Sequence, residues 1–300
     1  MIKPINLKVL FLETRPQFLT LSVVLAFLGT AIAWHEATVH LWYAVLAGVG
    51  LLLAHISVNT LNDYFDYKSG IDLVANRTPF SGGSGILPAG ALQPRQVLWL
   101  GLVSLLLAAC IGAYFMTVSG WQLFPLLLAA AILILLYSPL ILKWPWPEWV
   151  AGVGLGILPV LGMYFVQAGT YTFSAVIASV PSGLLVYNLL LLNEFPDAEA
   201  DMMANRKTLP IVIGKKKTAI VYTAVALAVY IWVIAWVAAQ IMPLWTLLAL
   251  LTLPLTIKAI NGARHHDNLA YLMPGMASNV MVVLLTQLLI GLGYILAHAI

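Results

Sequence analysis

Two spaced acidic constellations carry the chemistry of this chain. Asn62, Asp66 and Asp72 form the first, with Asp63 beside them; Asn193, Asp197 and Asp201 form the second, with Glu194 and Glu199 between them. Seven of the eleven carboxylates in 300 residues lie in these two stretches. Residues four apart share a helix face, so Asn62 and Asp66 form one stripe, and Asn193, Asp197 and Asp201 form another. Asn59 and His55 extend the first stripe backwards, three and seven residues before Asn62. Two such stripes facing one another offer hard oxygen donors suited to Mg2+, which takes one or two carboxylates and completes its octahedron with water and phosphate oxygens. Carboxylates alone repel a phosphate, so the cation must sit between them and the anion. Arg77, Lys143, Arg206 and Lys207 lie close enough in sequence to contact the same anion from the side. Acid, metal, phosphate and base together describe a diphosphate site. Asp66, Asp72, Asp197 and Asp201 are expected to carry its chemistry, with Asp63 a further metal ligand or a supporting group. Glu194 and Glu199 are expected to be solvated or paired with lysines.

The elements that must position these residues are membrane helices. With 62% hydrophobic and 8% charged residues, the chain cannot fold as a water-soluble globule with a polar exterior. Apolar windows long enough to cross a bilayer recur near 17–34, 41–62, 96–117, 121–141, 149–168, 173–193, 217–240, 243–258 and 272–298. Period-2 alternation typical of a barrel is absent, and backbone groups in lipid must be satisfied within each segment. The expected fold is all-α: one integral membrane domain over 1–300, a bundle of nine transmembrane helices.

Charge gives the orientation. With a cytoplasmic N-terminus, all fourteen Lys and Arg residues fall in or at the edge of the inside segments 1–16, 63–95, 142–148, 194–216 and 259–271, Lys3 among them. Such an asymmetry implies an N-in, C-out topology with both acidic clusters on the cytoplasmic side. The Lys215–Lys217 run is expected to be part of that topological signal. No removable leader or separate soluble domain is expected. The single cysteine, Cys110, excludes an intrachain disulfide and a multi-cysteine metal site. His265-His266 is expected to be a solvated interfacial pair. The net charge of +3 is explained by topology and does not point to nucleic acid. Two inside loops, 67–94 with Ser81-Gly-Gly-Ser-Gly85 and 198–215 with Asn205-Arg-Lys-Thr-Leu-Pro210, each follow an acidic cluster and are read as caps over the site. The repeat of helix plus loop about 131 positions apart suggests two half-sites facing one cavity.

A diphosphate bound at a bilayer surface fits a polyprenyl diphosphate, whose head is hydrated and whose tail dissolves in lipid. Ionisation of such a substrate leaves an allylic cation that aromatic faces stabilise. Tyr64, Tyr67, Tyr137 and Tyr187 are candidates for that wall, although aromatic residues such as Trp144, Trp146 and Trp149 also serve as interfacial belts.

With these residues in view, the chain resembles the UbiA-type intramembrane aromatic prenyltransferases over essentially its whole length. The resemblance rests on nine helices with paired aspartate-rich motifs after the second and sixth. It implies Mg2+-dependent transfer of a prenyl group from prenyl diphosphate to an aromatic acceptor, with Asn62, Asp66, Asp72, Asn193, Asp197 and Asp201 binding the metal diphosphate. The commonest family pattern has a further aspartate four positions after Asp66; that position is Gly70 here, and the third acid is Asp72. The spacing Asn62-x3-Asp66-x5-Asp72 is similar to the 1,4-dihydroxy-2-naphthoate polyprenyltransferases of menaquinone biosynthesis. Arg15-Pro16, Arg77-Thr78, the 81–85 stretch, Asn193-Glu-Phe-Pro-Asp197 and Arg206-Lys-Thr-Leu209 agree with that branch. By this resemblance the acceptor is a naphthoate prenylated where its carboxylate leaves as CO2. Arg15, His55, Asn59 and the four tyrosines are then expected around the acceptor or cation. The location implied is a bacterial or archaeal cytoplasmic membrane, with the site facing the cytoplasm and no obligate protein partner.

Other readings stay open from sequence. The acceptor can also be 4-hydroxybenzoate, chlorophyllide, haem or a glycerophosphate ether, with the Asp72 spacing arguing against the first. A transporter would place its acids near the midplane, often in broken helices. A lipid-binding protein would need no intact motifs. His55 is either a pocket residue or a hydrogen-bonded interior histidine, and Glu148 reads as a helix-dipole partner. Asn279 and Ser278 are expected to pack or hydrogen-bond between helices.

Overall fold

The computed structural model describes residues 6–37, 39–74 and 77–299; Lys3 and positions 75–76 of the expected first cap lie outside them. Every regular element among the described residues is a helix. The short α1 (Leu7–Glu13) leads into α2 (Pro16–Glu36), α3 (Leu41–Ser69) and the one-turn α4 (Ile71–Val74). Next come α5 (Pro94–Val118), α6 (Phe124–Leu136) and α7 (Glu148–Gly152), which α8 (Leu158–Ala168) continues through a π segment at Val153–Ile157. The remainder is α9 (Phe173–Met203), α10 (Leu209–Val212), α11 (Lys215–Ala238), α12 (Leu253–Arg264), entered through the 3-10 stretch Leu244–Thr252, and α13 (Leu269–Ala299).

Local chemistry sets the helix starts. Pro16 and Pro94 stand in first turns, where a missing amide hydrogen costs nothing. Gln93 and Gln96 cap α5 reciprocally, and Thr172 Oγ1 accepts the Ala175 N–H to start α9. Outward faces stay apolar, with Leu106, Ile220 and Ile231 all more than 60% exposed, as lipid-facing helices require.

Eight helices among the described residues are long and apolar enough to cross a membrane, which makes the chain a multi-pass membrane protein. The apolar Trp121–Leu136 is shorter. Two helices run well past their expected ends: α3 continues to Ser69 and α9 to Met203. Residues 198–203, expected in a loop, are therefore the last turns of α9, and nearly every residue of both acidic constellations projects from a rigid rod.

In the packed bundle α2 lies against α8 and α13, α3 against α5, α9 against α7 and α11, and α12 against α13. Leu25, Leu28 and Ile32 of α2 join Val160 and Tyr164 of α8, Val229 and Val233 of α11, and Ile290 and Tyr294 of α13 in the largest core cluster. The rod through α7 and α8 rides on the backbone of α9: a Cβ at Gly156 would lie 2.6 Å from the Ser182 carbonyl oxygen. Close backbone approach through small residues is how helices gain contact where lipid supplies no hydrophobic drive. A polar lock joins three helices: Asn188 Nδ2 donates to Tyr222 O, Tyr222 Oη to Asn279 Oδ1, and Asn279 Nδ2 to Asn188 O. Asn279 thus bonds between helices as expected, whereas Ser278 donates within its own helix to Pro274 O.

Candidate active site

One cavity of about 630 Å3 opens among the helices, and its polar wall is made by both constellations. Asn62, Asp66, Asp72, Asn193, Asp197, Asp201 and Arg206 line it, with Arg15, His55, Asn59 and Tyr137. Most of the remaining wall is apolar and reaches Ala47 on α3 and Phe115 on α5. From Asp66 back to Ala47 the cavity follows α3 for about 28 Å, at 1.5 Å per residue.

The stripe on α3 is tied at nearly every step to a neighbouring segment. His55 Nδ1 pairs with Ser22 Oγ of α2 at 2.8 Å, so His55 is both a hydrogen-bonded interior histidine and a cavity residue. Asn59 Nδ2 donates to Thr14 O at 2.9 Å, and Asn62 Nδ2 to Ser138 Oγ at 3.0 Å. Asp66 receives the Arg206 guanidinium.

Arg206 joins the two motifs. Its Nη1 lies 2.9 Å from Asp201 Oδ1 while Nη2 contacts Asp66, so one guanidinium bridges α3 and α9. Burial works against its charge, yet Asp66 and then Asp201 hold Arg206 above the ordinary arginine pKa. The remaining oxygens of the second motif are differently placed. Asn193 Oδ1, Asp197 Oδ1 and both Glu194 carboxyl oxygens are buried without a hydrogen-bond partner. Among the described residues no three His, Cys, Asp or Glu side chains converge as a complete metal cage. Unsatisfied hard oxygen donors in an incomplete protein shell fit Mg2+, which keeps several positions for water and phosphate.

The glycine-rich stretch lies across the site and touches both motifs. The Ser84 N–H donates to Asp63 Oδ2 at 3.0 Å, and Ser84 Oγ to Glu13 Oε2 at 2.9 Å. A Cβ at Gly83 would stand 2.9 Å from Asp72 Oδ1, and Ser81 is within hydrogen-bond reach of Asp197. Arg15, in left-handed backbone at φ 55°, sets Nη1 3.5 Å from Asp63 Oδ1. Burial, then the carboxylates of Asp66 and Asp63, push Asp72 up to about 7. Burial, then Asp63, push Glu13 up to about 8. The displaced third acid also has a geometric origin. Gly70 ends α3 in left-handed backbone at φ 82°, a conformation glycine adopts without strain, and α4 then carries Asp72 back to the cavity wall.

Several expected residues stand elsewhere. Asp63 is buried but outside the cavity lining, where it anchors Arg15 and the glycine-rich loop. Lys143 and Lys207 are exposed and do not line the cavity; the backbone N–H of Lys207 pairs with Leu142 O instead. Arg77 is exposed and folds over Gly85. Tyr64 and Tyr67 pack on Leu87, Leu92 and Val97, and Tyr187 sits beside Gly152, which leaves Tyr137 as the cavity's tyrosine among the four.

Glu194 corrects the expectation of a solvated group or a lysine partner: it is buried, lines the cavity and stands near the Glu148 carboxyl group, with no hydrogen-bond partner of its own. The cause is the extra length of α9, which keeps position 194 inside the bundle. Glu199 is exposed as expected. Glu148 does begin α7, as a dipole partner should, but it is fully buried and accepts the Leu209 N–H, fixing the segment after Arg206. Glu13 went unread in sequence. Its only signal is a lone acid just before Arg15-Pro16 in an otherwise basic segment.

Comparison with known proteins agrees with this geometry. The model of the UbiA prenyltransferase family matches residues 22–271. A 1,4-dihydroxy-2-naphthoate octaprenyltransferase of Bacillus subtilis (strain 168) is 27% identical over 294 residues, covering 97% of this chain and 93% of the relative. A digeranylgeranylglyceryl phosphate synthase of Thermococcus kodakarensis is 30% identical over 217 residues, covering 70% of this chain and 71% of the relative. The solved structure of a UbiA homolog from Archaeoglobus fulgidus bound to DMAPP and Mg2+ shares the fold, with a TM-score of 0.58 at 15% identity over 91% of this chain and 98% of that one. On its sequence, its fold and the two motifs in one cavity, the chain belongs to the UbiA prenyltransferase family.

Proposed function

We propose that this chain transfers a polyprenyl group from a prenyl diphosphate to 1,4-dihydroxy-2-naphthoate, releasing diphosphate and CO2. The observation that carries the reading is a single cavity with both acidic motifs at one end and an apolar wall continuing along α3. The polar end suits a diphosphate and the apolar remainder a polyprenyl tail. Asp66, Asp72, Asn193, Asp197 and Asp201 would hold Mg2+. When bound, Mg2+ neutralises charge developing on the leaving diphosphate.

The chain's own residues supply the rest. Arg206 brings a guanidinium to the anion. The apolar wall excludes water that would otherwise capture an allylic cation, and the Tyr137 ring offers that cation a π face. Arg15, Asn59 and His55 also line the cavity; on this reading they take the acceptor, with the Arg15 guanidinium for its carboxylate. In the transfer, a bond forms between the prenyl carbon and the carboxylate-bearing ring carbon, the C–O bond to diphosphate breaks, and the carboxylate departs as CO2 with its bonding pair returned to the ring.

In the membrane, Trp121–Leu136 serves as a ninth span. It is roughly 24 Å long at 1.5 Å per residue, short of a hydrocarbon core of about 30 Å. Nine crossings with the inward bias of Lys and Arg put the N-terminus and the site on the cytoplasmic face and the C-terminus outside.

The identity of the Thermococcus relative favours a second acceptor, a glycerol ether phosphate. One assay decides between them: purified protein in proteoliposomes with Mg2+, an allylic prenyl diphosphate, and the naphthoate, 4-hydroxybenzoate and a glycerol ether phosphate in competition. Prenylated naphthoate with equimolar diphosphate and CO2 is the expected result. Product on another acceptor alone would overturn the naphthoate reading while leaving the family intact.

A further inference from the structure

A second groove, of about 420 Å3, lies on the membrane face that carries the site and is separate from the cavity. Its collar is Lys216, Arg264 and His266; its floor is Ala219, Ile220, Thr223 and Ala224 of α11. Cationic side chains from the start of α11 and the end of α12 thus meet over a strip of small and apolar side chains. From Lys216 to Ala224 the strip descends about 12 Å along α11, from headgroup level into the hydrocarbon.

Two features make the collar an anion site rather than a topological signal alone. Lys215, Lys216 and Lys217 crowd the first turn of α11, where the helix dipole already disfavours positive charge. Gly214 brings no side chain to cap that turn. The His266 side chain is only 9% exposed; its Nδ1 lies 2.8 Å from Asp267 Oδ1 without hydrogen-bond geometry, and Asp267 itself is 89% exposed. An anion at the collar answers the excess of Lys216 and Arg264 over this one carboxylate. A soluble anion would need only the collar. The apolar floor beneath it matches an acyl chain.

We propose that this groove binds an anionic phospholipid, with the phosphate between Lys216 and Arg264 and an acyl chain along Ala219, Ile220 and Ala224. Basic pockets between spanning helices are suited to such headgroups. His266 also packs against Phe195, with ring centroids 5.5 Å apart, and Phe195 lies between Asn193 and Asp197. The lipid is therefore one aromatic contact from the second acidic motif.

The test titrates phosphatidylglycerol into phosphatidylcholine and detergent micelles holding the purified chain. Bound lipid is read by native mass spectrometry and the melting midpoint by fluorescence. Wild type is expected to retain phosphatidylglycerol over phosphatidylcholine. The double variant Lys216→Gln/Arg264→Gln should bind it roughly 30-fold more weakly, about fivefold per lost cation near an anionic lipid. Ala224→Phe, which fills the floor and keeps the charges, should also weaken retention, so a misfolded double variant does not shelter the proposal. Lys8→Gln and Lys68→Gln should leave retention unchanged. Equal retention in wild type and both groove variants would overturn the proposal. So would equal binding of phosphatidylcholine, or a midpoint shift from free glycerol phosphate as large as that from the lipid.

Discussion

Replacing Arg206 by Gln separates two roles of one guanidinium, joining the two motifs in the metal-free protein and meeting the substrate anion in the proposed reaction. The guanidinium links Asp66 and Asp201, with side-chain exposures of 14% for the arginine and 11% and 5% for the two acids. Screening by solvent is weak at such exposures. Breaking a buried pair costs roughly 3–5 kcal/mol because the remaining charge is left uncompensated. Glutamine keeps one donor group and some solvent reaches the site, so the low end, about 3 kcal/mol, is expected. At roughly 2–4 °C per kcal/mol for larger chains, the melting midpoint without metal falls by roughly 6–12 °C. On the proposed binding mode, Mg2+ would compensate the same two acids. In the variant it enters without displacing a guanidinium, so Mg2+ alone should raise the midpoint more in Arg206→Gln than in wild type, by linkage to the folded state. Turnover at saturating Mg2+ should nevertheless fall by about 10²–10³, the scale for losing one donor to developing negative charge. The assay is a thermal melt in detergent with and without Mg2+, paired with prenyl transfer in proteoliposomes. An unchanged midpoint in the metal-free variant, or equal Mg2+ shifts in the two proteins, would refute the bridging role.

Three further outcomes are expected. Asp197→Asn relieves a buried carboxylate oxygen that lacks a partner, so the metal-free midpoint should hold or rise while transfer falls by at least about 10², the scale of lost electrostatic stabilisation; a melt well below wild type contradicts this. Glu13→Ala removes the acceptor of Ser84 Oγ; because burial keeps Glu13 largely protonated near neutral pH, losing a neutral hydrogen bond worth about 0.5–1.5 kcal/mol should raise KM for the prenyl diphosphate by about threefold to tenfold while kcat changes little. Glu13→Gln, still able to accept from Ser84, should recover most of that loss, and a kcat defect at unchanged KM would rule out loop positioning. Gly156→Val forces a side chain against the Ser182 carbonyl, so overpacking of about 1–3 kcal/mol should lower the midpoint; a melt equal to wild type would mean that the π segment between α7 and α8 does not meet α9 there.

Periodicity made the two stripes legible, because the four-residue spacing holds only if the helices continue through the acids, and α3 and α9 do continue. The Gly70 departure was legible as a spacing, but that Gly70 ends α3 in left-handed backbone and returns Asp72 to the cavity wall was not. The fourth apolar run shows where hydropathy misleads. Its window extends to 141, yet α6 ends at Leu136, and Pro139 disfavours helical backbone at the residue before it. The neighbours of Glu13 and Glu194 were not legible, since Ser84 lies 71 residues from Glu13 and Glu148 stands on another helix. Nor does a run of lysines disclose that α11 and α12 bring Lys216 and Arg264 to one groove.

The two motifs look equivalent in sequence but differ in how their polarity is satisfied. On α3, His55, Asn59, Asn62 and Asp66 each find a partner on another segment. On α9, Asn193, Glu194 and Asp197 keep buried oxygens without partners. A satisfied stripe fixes its helix against α2, the α1 to α2 turn and the segment after α6, and so sets the cavity's shape. An unsatisfied stripe costs stability, and that cost is recoverable when a cation or donor binds. The glycine-rich loop meets both, through Ser84 on Asp63 and Ser81 near Asp197. Ligand-induced tightening should therefore be felt mainly by α9 and this loop, with α3 acting as the fixed wall against which they close.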